Sequence, residues 1–99
     1  MALLELHVIP IGTSTPSMGD YIAEVIRVCR EEGLKHRLTD MGTILEGEVD
    51  QLFQVARKLH EIPFRRGIQR VVTSLTVDDR RDKAVHLDDK VHAVMARLG

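Results

Sequence analysis

The sequence is poor in cysteine and has no long apolar run. Its single cysteine, Cys29, excludes an internal disulfide and is typical of a protein from a reducing compartment. No apolar run approaches the length of a membrane span, and the N-terminus lacks the basic segment and apolar run of a signal peptide. We therefore expect a cytoplasmic protein without a membrane partner.

The sequence also lacks a strong charge of either sign and has few aromatic residues. Its 14 Lys and Arg residues nearly balance 15 Asp and Glu residues, so there is no electrostatic reason to expect nucleic acid or an anionic membrane as a partner. With only Tyr21, Phe53 and Phe64 as aromatics, the core must be filled by Leu, Val and Ile. A chain of 99 residues is sufficient for one such core, so we expect a single domain over residues 1–99.

The pattern of apolar residues predicts seven secondary-structure elements. Strands are predicted at residues 2–11, 34–39, 43–46 and 68–78, and helices at residues 18–32, 49–61 and 86–98. Gly33 and Pro63 are expected to end the first two helices. Two β-α-β halves with a hairpin between them indicate an α+β protein. The predicted fold is a ferredoxin-like βαββαβ sandwich with a four-stranded antiparallel sheet and an extra C-terminal helix.

Each predicted helix carries an apolar stripe that is expected to face the core. The stripe of the second helix holds Val49, Leu52, Phe53, Ala56 and Leu59, and that of the third holds Leu87, Val91, Val94, Met95 and Leu98. Cys29 lies on the stripe of the first helix. We interpret it as a buried core thiol rather than a nucleophile, because nothing nearby in the sequence would lower its pKa.

The first strand has two different faces. One face carries Leu4, Leu6 and Val8, and the other carries Leu3, Glu5, His7 and Ile9. The second face mixes apolar and polar side chains, which suits burial by a partner subunit. We therefore expect a homo-oligomer, most simply a tetramer built from dimers.

The stretch from residue 38 to residue 48 contains the strongest candidate for ligand recognition. Asp40-Met41-Gly42 is a turn signal between two strands, and Glu46 stands at the end of the second one, before Gly47. One interpretation is structural: Glu46 pairs with Arg or Lys on a neighbouring strand, or is exposed at the strand end. The other is functional: its carboxylate lies in a pocket between sheet and helices and accepts hydrogen bonds from an amine or an amidine-like heterocycle.

The loop at residues 12–17 is rich in hydroxyl groups. Thr15 or Ser17 can cap the first helix, which is the structural interpretation. In the functional interpretation, Thr13 and Ser14 also hydrogen-bond a small ligand.

No motif in the sequence indicates a metal site or a nucleophile. No two of the five histidines have the zinc spacing on one helix, and there is no cysteine pair. Arg65, Arg66, Arg70, Arg80 and Arg81 are interpreted as solvated loop charges, with an anion site as the alternative. Two further classes stay open: an enzyme that uses Glu46 or His36 as acid or base, and a structural or regulatory subunit.

Seven stretches, taken in order, resemble the small thiamine-binding protein family, which is similar to the Ecm15-like yeast proteins. They are Val8-Ile-Pro-Ile-Gly-Thr13, Gly33-Leu34, Met41-Gly-Thr-Ile-Leu-Glu-Gly-Glu48, His60-Glu61, Gly67, Arg70-Val-Val-Thr73 and Asp78-Asp-Arg80. The resemblance covers nearly the whole chain. It implies a ferredoxin-like subunit that forms dimers and tetramers through its sheets.

The same resemblance implies a function and a set of site residues. Some members of the family bind thiamine or its hydroxymethylpyrimidine part, and members are not known as enzymes. The resemblance implies Thr13, Thr43 and Glu46 as ligand-binding residues, with Thr73 on the neighbouring strand as a weaker candidate. The expected protein is a non-enzymatic binding protein for a thiamine-like small molecule, with no metal and no cofactor.

Overall fold

The order of elements is the predicted one. The structure is a computed structural model that describes residues 1–13 and 18–99. Its elements are β1 (Ala2–Ile11), α1 (Gly19–Glu31), β2 (Lys35–Leu38), β3 (Thr43–Gly47), α2 (Val49–Arg65), β4 (Arg70–Asp78) and α3 (Asp89–Leu98). The α+β, ferredoxin-like architecture with an added C-terminal helix is confirmed.

The sheet places β1 at its centre. The strand order is β2-β3-β1-β4, and every neighbouring pair is antiparallel. α1 and α2 cover one face, where Leu, Val and Ile side chains form the core that the composition required. The largest fully buried apolar side chains include Leu4, Leu45, Leu52, Leu59 and Ile62. Here we call the face of the sheet that α1 and α2 leave uncovered the outer face.

Cys29 lies in this core, as expected, and should resist alkylation in the folded protein. Its side chain is 0% exposed, and burial raises the pKa of the thiol to about 11. Since only the thiolate is nucleophilic, iodoacetamide at about pH 8 should react only once the chain unfolds. Mass spectrometry with and without denaturant measures this. Rapid labelling of the native protein would contradict the burial of Cys29.

The prediction that Pro63 ends the second helix is wrong. α2 continues to Arg65 with Pro63 inside its last turn. Proline costs the helix one hydrogen bond at that position, but Pro63 is fully buried against the core, and its packing keeps the chain helical for two more residues. Phe53, predicted to face the core, is 49% exposed; Val55 and Ile62 are buried instead.

The C-terminal helix also differs from the prediction. It begins at Asp89 rather than at residue 86, because Asp88 has a left-handed backbone with φ of 77° and interrupts the helical turn. Of its predicted apolar stripe only Leu87, which precedes the helix, is buried. α3 itself has no buried residue. The radius of gyration is 14.9 Å, against about 13 Å for a compact domain of about 100 residues.

The start of α1 lies next to the part of the chain that the structure does not describe. The predicted capping by Thr15 or Ser17 and the ligand role of Ser14 concern residues outside the described part of the structure. α1 begins at Gly19 without a side-chain hydrogen bond at its cap position, Met18. In residues 1–13 and 18–99, no helix is long and apolar enough to cross a membrane.

Candidate functional site

A cavity of about 370 Å³ opens at one end of the sandwich. α1 and α2 form its roof, the end of β1 forms one wall, and the β2–β3 turn closes one side. The size lies within the range of pockets that hold small organic ligands. These four parts of the chain are distant in sequence. The cavity therefore forms only when the chain folds, and no single sequence motif encodes it.

The β2–β3 turn is stabilised by Thr39. The Thr39 hydroxyl accepts hydrogen bonds from the main-chain N–H groups of Met41 (3.2 Å) and Gly42 (3.1 Å), and it lies 3.0 Å from the Gly42 carbonyl oxygen. The Thr39 N–H also donates to the Gly42 carbonyl at 2.9 Å. A short hydroxyl side chain can satisfy a turn in this way. The turn predicted from Asp40-Met41-Gly42 is therefore rigidly held beside the cavity.

Gly42 permits this turn to approach β1. A Cβ atom at Gly42 would lie 2.7 Å from Nε2 of His7 and 3.1 Å from the carbonyl oxygen of Leu6. A side chain at this position would have to displace the imidazole or the strand. Glycine thus brings the turn, His7 and the end of β1 together at one side of the cavity.

The cavity has an apolar body and one polar end. Its roof is formed by side chains such as Ile22, Val25 and Leu59. The polar groups cluster at the turn, where Thr39, Asp40, Gly42 and Thr43 line the wall. The described lining includes one carboxylate, Asp40, and no Lys or Arg. Such a site suits an aromatic or apolar body that carries hydrogen-bonding groups or positive charge at one end.

Tyr21 adds an aromatic ring to the roof. It lines the cavity from α1, and the guanidinium carbon of Arg66 lies 5.4 Å from the centre of its ring. Arg66 also donates to Glu24 at 3.1 Å. The resulting cation–π contact and ion pair restrain the Tyr21 ring.

The structure places the four predicted site residues in different surroundings. Thr43 is 6% exposed and lines the cavity. Thr13 follows β1 by two residues but is not part of the described lining. Thr73 lies on β4, where its Oγ1 is 2.6 Å from Nδ1 of His60, and is not part of the lining either. A ligand contact of Thr13 or Thr73 stays a prediction.

Glu46 lies on the opposite side of the sheet from the cavity. β3 continues past it to Gly47, so Glu46 is inside the strand rather than at its end. A Cβ at Gly47 would lie 3.5 Å from Leu52 of α2, and because side chains alternate along a strand, Glu46 points to the outer face. It is 6% exposed there.

The Glu46 carboxylate instead contacts the segment before α3. Its Oε1 accepts a hydrogen bond of 2.6 Å from the Leu87 N–H, and Nδ1 of His86 lies 3.4 Å from the same oxygen. Asp88 forms an ion pair with Arg37 of β2. These contacts fix residues 86–88 to the sheet. A role of Glu46 in binding the ligand directly stays a prediction, and the geometry assigns it a structural role.

Two arginines that follow β4 are paired with nearby carboxylates. Arg80 is paired with Asp82, and Arg81 with Asp79; the hydrogen bond from Arg81 holds the pKa of the Asp79 carboxyl below its usual range. These pairs account for two of the five arginines that suggested an anion site, and that site stays a prediction. Among residues 1–13 and 18–99, no group of three His, Cys, Asp or Glu side chains is arranged to hold a metal ion.

Among the lining residues that sequence reasoning missed are His7, Tyr21, Thr39 and Asp40. His7 was assigned to the second face of the first strand, and Tyr21 was noted as one of the three aromatic residues. Thr39 was predicted only as the end of a strand. No local signal joins them, because they meet only when β1, α1 and the β2–β3 turn converge.

Comparison with known proteins finds similarity over nearly the whole chain. A family model described as thiamine-binding protein matches residues 4–95. The UPF0045 protein YqgV of Bacillus subtilis is 42% identical, over 99% of this chain and 98% of its own length. The UPF0045 protein ECM15 of Eremothecium gossypii is 33% identical, over 97% of this chain and 91% of its own length.

Solved structures show the same architecture. The hypothetical protein MJ1052 of Methanocaldococcus jannaschii superimposes with a TM-score of 0.83 at 31% identity, over 95% of each chain. A proposed thiamine biosynthesis/salvage protein from Thermotoga maritima has a TM-score of 0.75 at 18% identity, over 94% of this chain and 97% of its own. The second similarity concerns the fold alone.

Proposed function

The chain belongs to the thiamine-binding protein family, and on this premise we propose that it binds thiamine or hydroxymethylpyrimidine in the cavity between α1, α2 and the β2–β3 turn. The observation that carries the proposal is the shape of this cavity, an apolar body with its polar groups at one end. The protein is then a cytoplasmic binding protein without catalytic turnover.

The chemistry of the ligand matches the lining. The methylpyrimidine ring is largely apolar and fits below the aliphatic side chains of the roof, where burial contributes about 25 cal/mol for each Å² of apolar surface. Its amino group has two N–H bonds, and an acceptor of the β2–β3 turn such as the Asp40 carboxylate can accept one of them. Thiamine is cationic at its thiazolium ring, and the only charge in the described lining is the Asp40 carboxylate. No cation in that lining compensates a phosphate, so thiamine phosphate should bind more weakly.

A pair of matched variants tests where the ligand binds. Thr43→Val removes a hydroxyl from the cavity wall, and we expect affinity for hydroxymethylpyrimidine to fall by about threefold to tenfold, the effect of one hydrogen bond. Thr76→Val removes a hydroxyl from β4 on the outer face, opposite Glu5, and should leave affinity unchanged. Calorimetry of both variants and the wild type, with thiamine, thiamine phosphate and hydroxymethylpyrimidine, measures this.

The same three compounds also test the ligand, the location of the site and the absence of catalysis. If none of the three compounds produces heat with the wild type, thiamine is not the ligand. Equal losses in the two threonine variants would move the site away from this cavity. Product detected by mass spectrometry in proportion to protein would favour the enzyme class, with His36 or Glu46 as candidate acid or base.

We extend the proposal to assembly as a homo-oligomer, a tetramer built from dimers. Two apolar surfaces of the described chain are uncovered. One is the stripe of α3, formed by Val91, Val94, Met95 and Leu98, and the other is the end of the outer face around Ile9, Ile11 and Val72. Their side chains are between 39% and 75% exposed. A second copy of the chain carries the same two surfaces. Each surface can therefore pack against its own copy across a two-fold axis, and two such contacts build a tetramer.

A further inference from the structure

Four consecutive residues of β1, from Leu6 to Ile9, line the cavity. Side chains of a strand alternate between two faces, so a cavity on one face meets only every second side chain. A cavity that contacts four residues in a row must also meet the edge of the strand. In the described part of the chain this edge has no partner strand beyond Leu6, because the pairing of β1 with β3 ends at Leu6 and Thr43, whereas β1 continues to Ile11 against β4.

Pro10 determines which main-chain groups point to this open edge. It pairs with Val71 of β4, and a hydrogen-bonded antiparallel pair needs an N–H from both residues. Proline has no N–H, so Pro10 and Val71 form a non-hydrogen-bonded pair. Two residues earlier, Val8 and Thr73 form a pair of the same kind. The N–H and C=O of Val8 therefore point away from β4.

The carbonyl of Leu6 supports this orientation. Gly42 approaches it so closely that a Cβ atom there would lie 3.1 Å from the Leu6 oxygen, so Leu6 turns its main-chain groups toward the β3 side. Val8 lies two residues after Leu6, so its N–H and C=O point to the same side of β1. They lie just beyond the end of β3. In the described part of the chain, no strand pairs with Val8 on that side.

We propose that the main chain of Val8 is the hydrogen-bonding element that recognises the ligand in this cavity. An extended residue presents its N–H and C=O side by side on one edge. The matching ligand is a nitrogen heteroaromatic ring with an amino group next to a ring nitrogen. The amino group donates to the Val8 carbonyl, and the ring nitrogen accepts from the Val8 N–H. This inference rests on the proposed binding of an aminopyrimidine and assigns the residue that selects it.

The position of the ring follows from this pairing. Hydrogen bonds at a strand edge lie near the plane of the sheet, so the ring occupies the place that a further residue of β3 would have. One of its faces then meets the apolar roof formed by α1 and α2. A peptide strand is a poorer occupant, because Pro10 offers no N–H and the turn that contains Gly42 closes the other end. The open edge holds one complete donor–acceptor pair.

The test removes the Val8 N–H without changing its side chain. The full chain can be assembled by ligation at Cys29, with valine at position 8 replaced by the corresponding α-hydroxy acid, so that an ester replaces the amide. The matched control is the same replacement at Val71, whose N–H points to the free edge of β4. Calorimetry with hydroxymethylpyrimidine should show affinity about tenfold weaker for the ester at Val8 and unchanged for the ester at Val71.

A ligand analogue provides an independent measurement on the unmodified protein. In this analogue, C–H replaces the ring nitrogen beside the amino group. It should bind the wild type about tenfold more weakly than hydroxymethylpyrimidine, and the ester at Val8 should cause no further loss. Equal binding of the two compounds by the wild type, or unchanged affinity in the Val8 ester, would overturn the proposal while thiamine-type binding stands. Failure of the wild type to bind hydroxymethylpyrimidine would overturn the proposed function together with it.

Discussion

Two glutamates on the apolar stripe of α3, introduced as Val94→Glu and Met95→Glu, are expected to reduce the proposed tetramer to a dimer held by the outer-face contact alone. Val94 is 55% and Met95 is 59% exposed, and no residue of α3 is buried, so these changes leave the core of the subunit intact. In an interface, each new carboxylate would be desolvated against apolar side chains, which costs several kcal/mol in order of magnitude unless it is paired. Light scattering at micromolar protein measures the mass.

The control for this experiment is Ala93→Glu with Ala96→Glu. These positions lie on the opposite side of α3 from the stripe, since successive helical residues are separated by about 100°. The control adds the same charge to the same helix and should keep the assembly of the wild type. A monomeric wild type would remove the assembly proposal, and a stripe variant that assembles normally would exclude α3 as the contact.

Replacement of Glu46 by alanine is expected to destabilise the subunit. The variant leaves the Leu87 N–H without its acceptor at a position that is 7% exposed. An unsatisfied buried donor of this kind costs about 1–3 kcal/mol, which lowers the Tm of a domain of about 100 residues by roughly 10 °C. Thermal unfolding at one fixed protein concentration measures the loss, because the proposed assembly would make the Tm depend on concentration.

Glu46→Gln is the matched control and also tests the ligand prediction. Its amide oxygen can still accept from Leu87, so its Tm should fall by less than half as much as that of the alanine variant. If Glu46 has only the structural role, the glutamine variant should bind hydroxymethylpyrimidine like the wild type. A roughly tenfold loss of affinity with an unchanged Tm would instead support direct contact of Glu46 with the ligand.

The fold was predictable because its signals are local. Alternation in β1, helical spacing in α1 and α2, and the turn at Asp40-Met41-Gly42 each depend on a few neighbouring residues. The stop at Gly33, whose φ is 69°, was also a local signal. Pro63 is the exception, since its effect on α2 depends on the core against which it packs.

The candidate site was predictable only in part. Thr43 was named through the resemblance and lines the cavity. Glu46 was named from its unusual place in a strand, and the structure does find it buried, but its partner Leu87 lies 41 residues away. The spacing of apolar residues in a strand or a helix reports only on neighbours within a few residues. It carries no information about a contact between residues that are 41 positions apart.

The sequence by itself determined the order of the strands and helices, the burial of Cys29 and the membership of a family. Only the tertiary structure decided which side of the sheet each polar residue faces and what it meets there. Glu46 and Thr43 are three positions apart, yet the odd spacing sends their side chains to opposite faces of β3. One therefore stabilises the C-terminal segment and the other lines the cavity, because the two faces of the sheet are covered by parts of the chain that are distant in sequence.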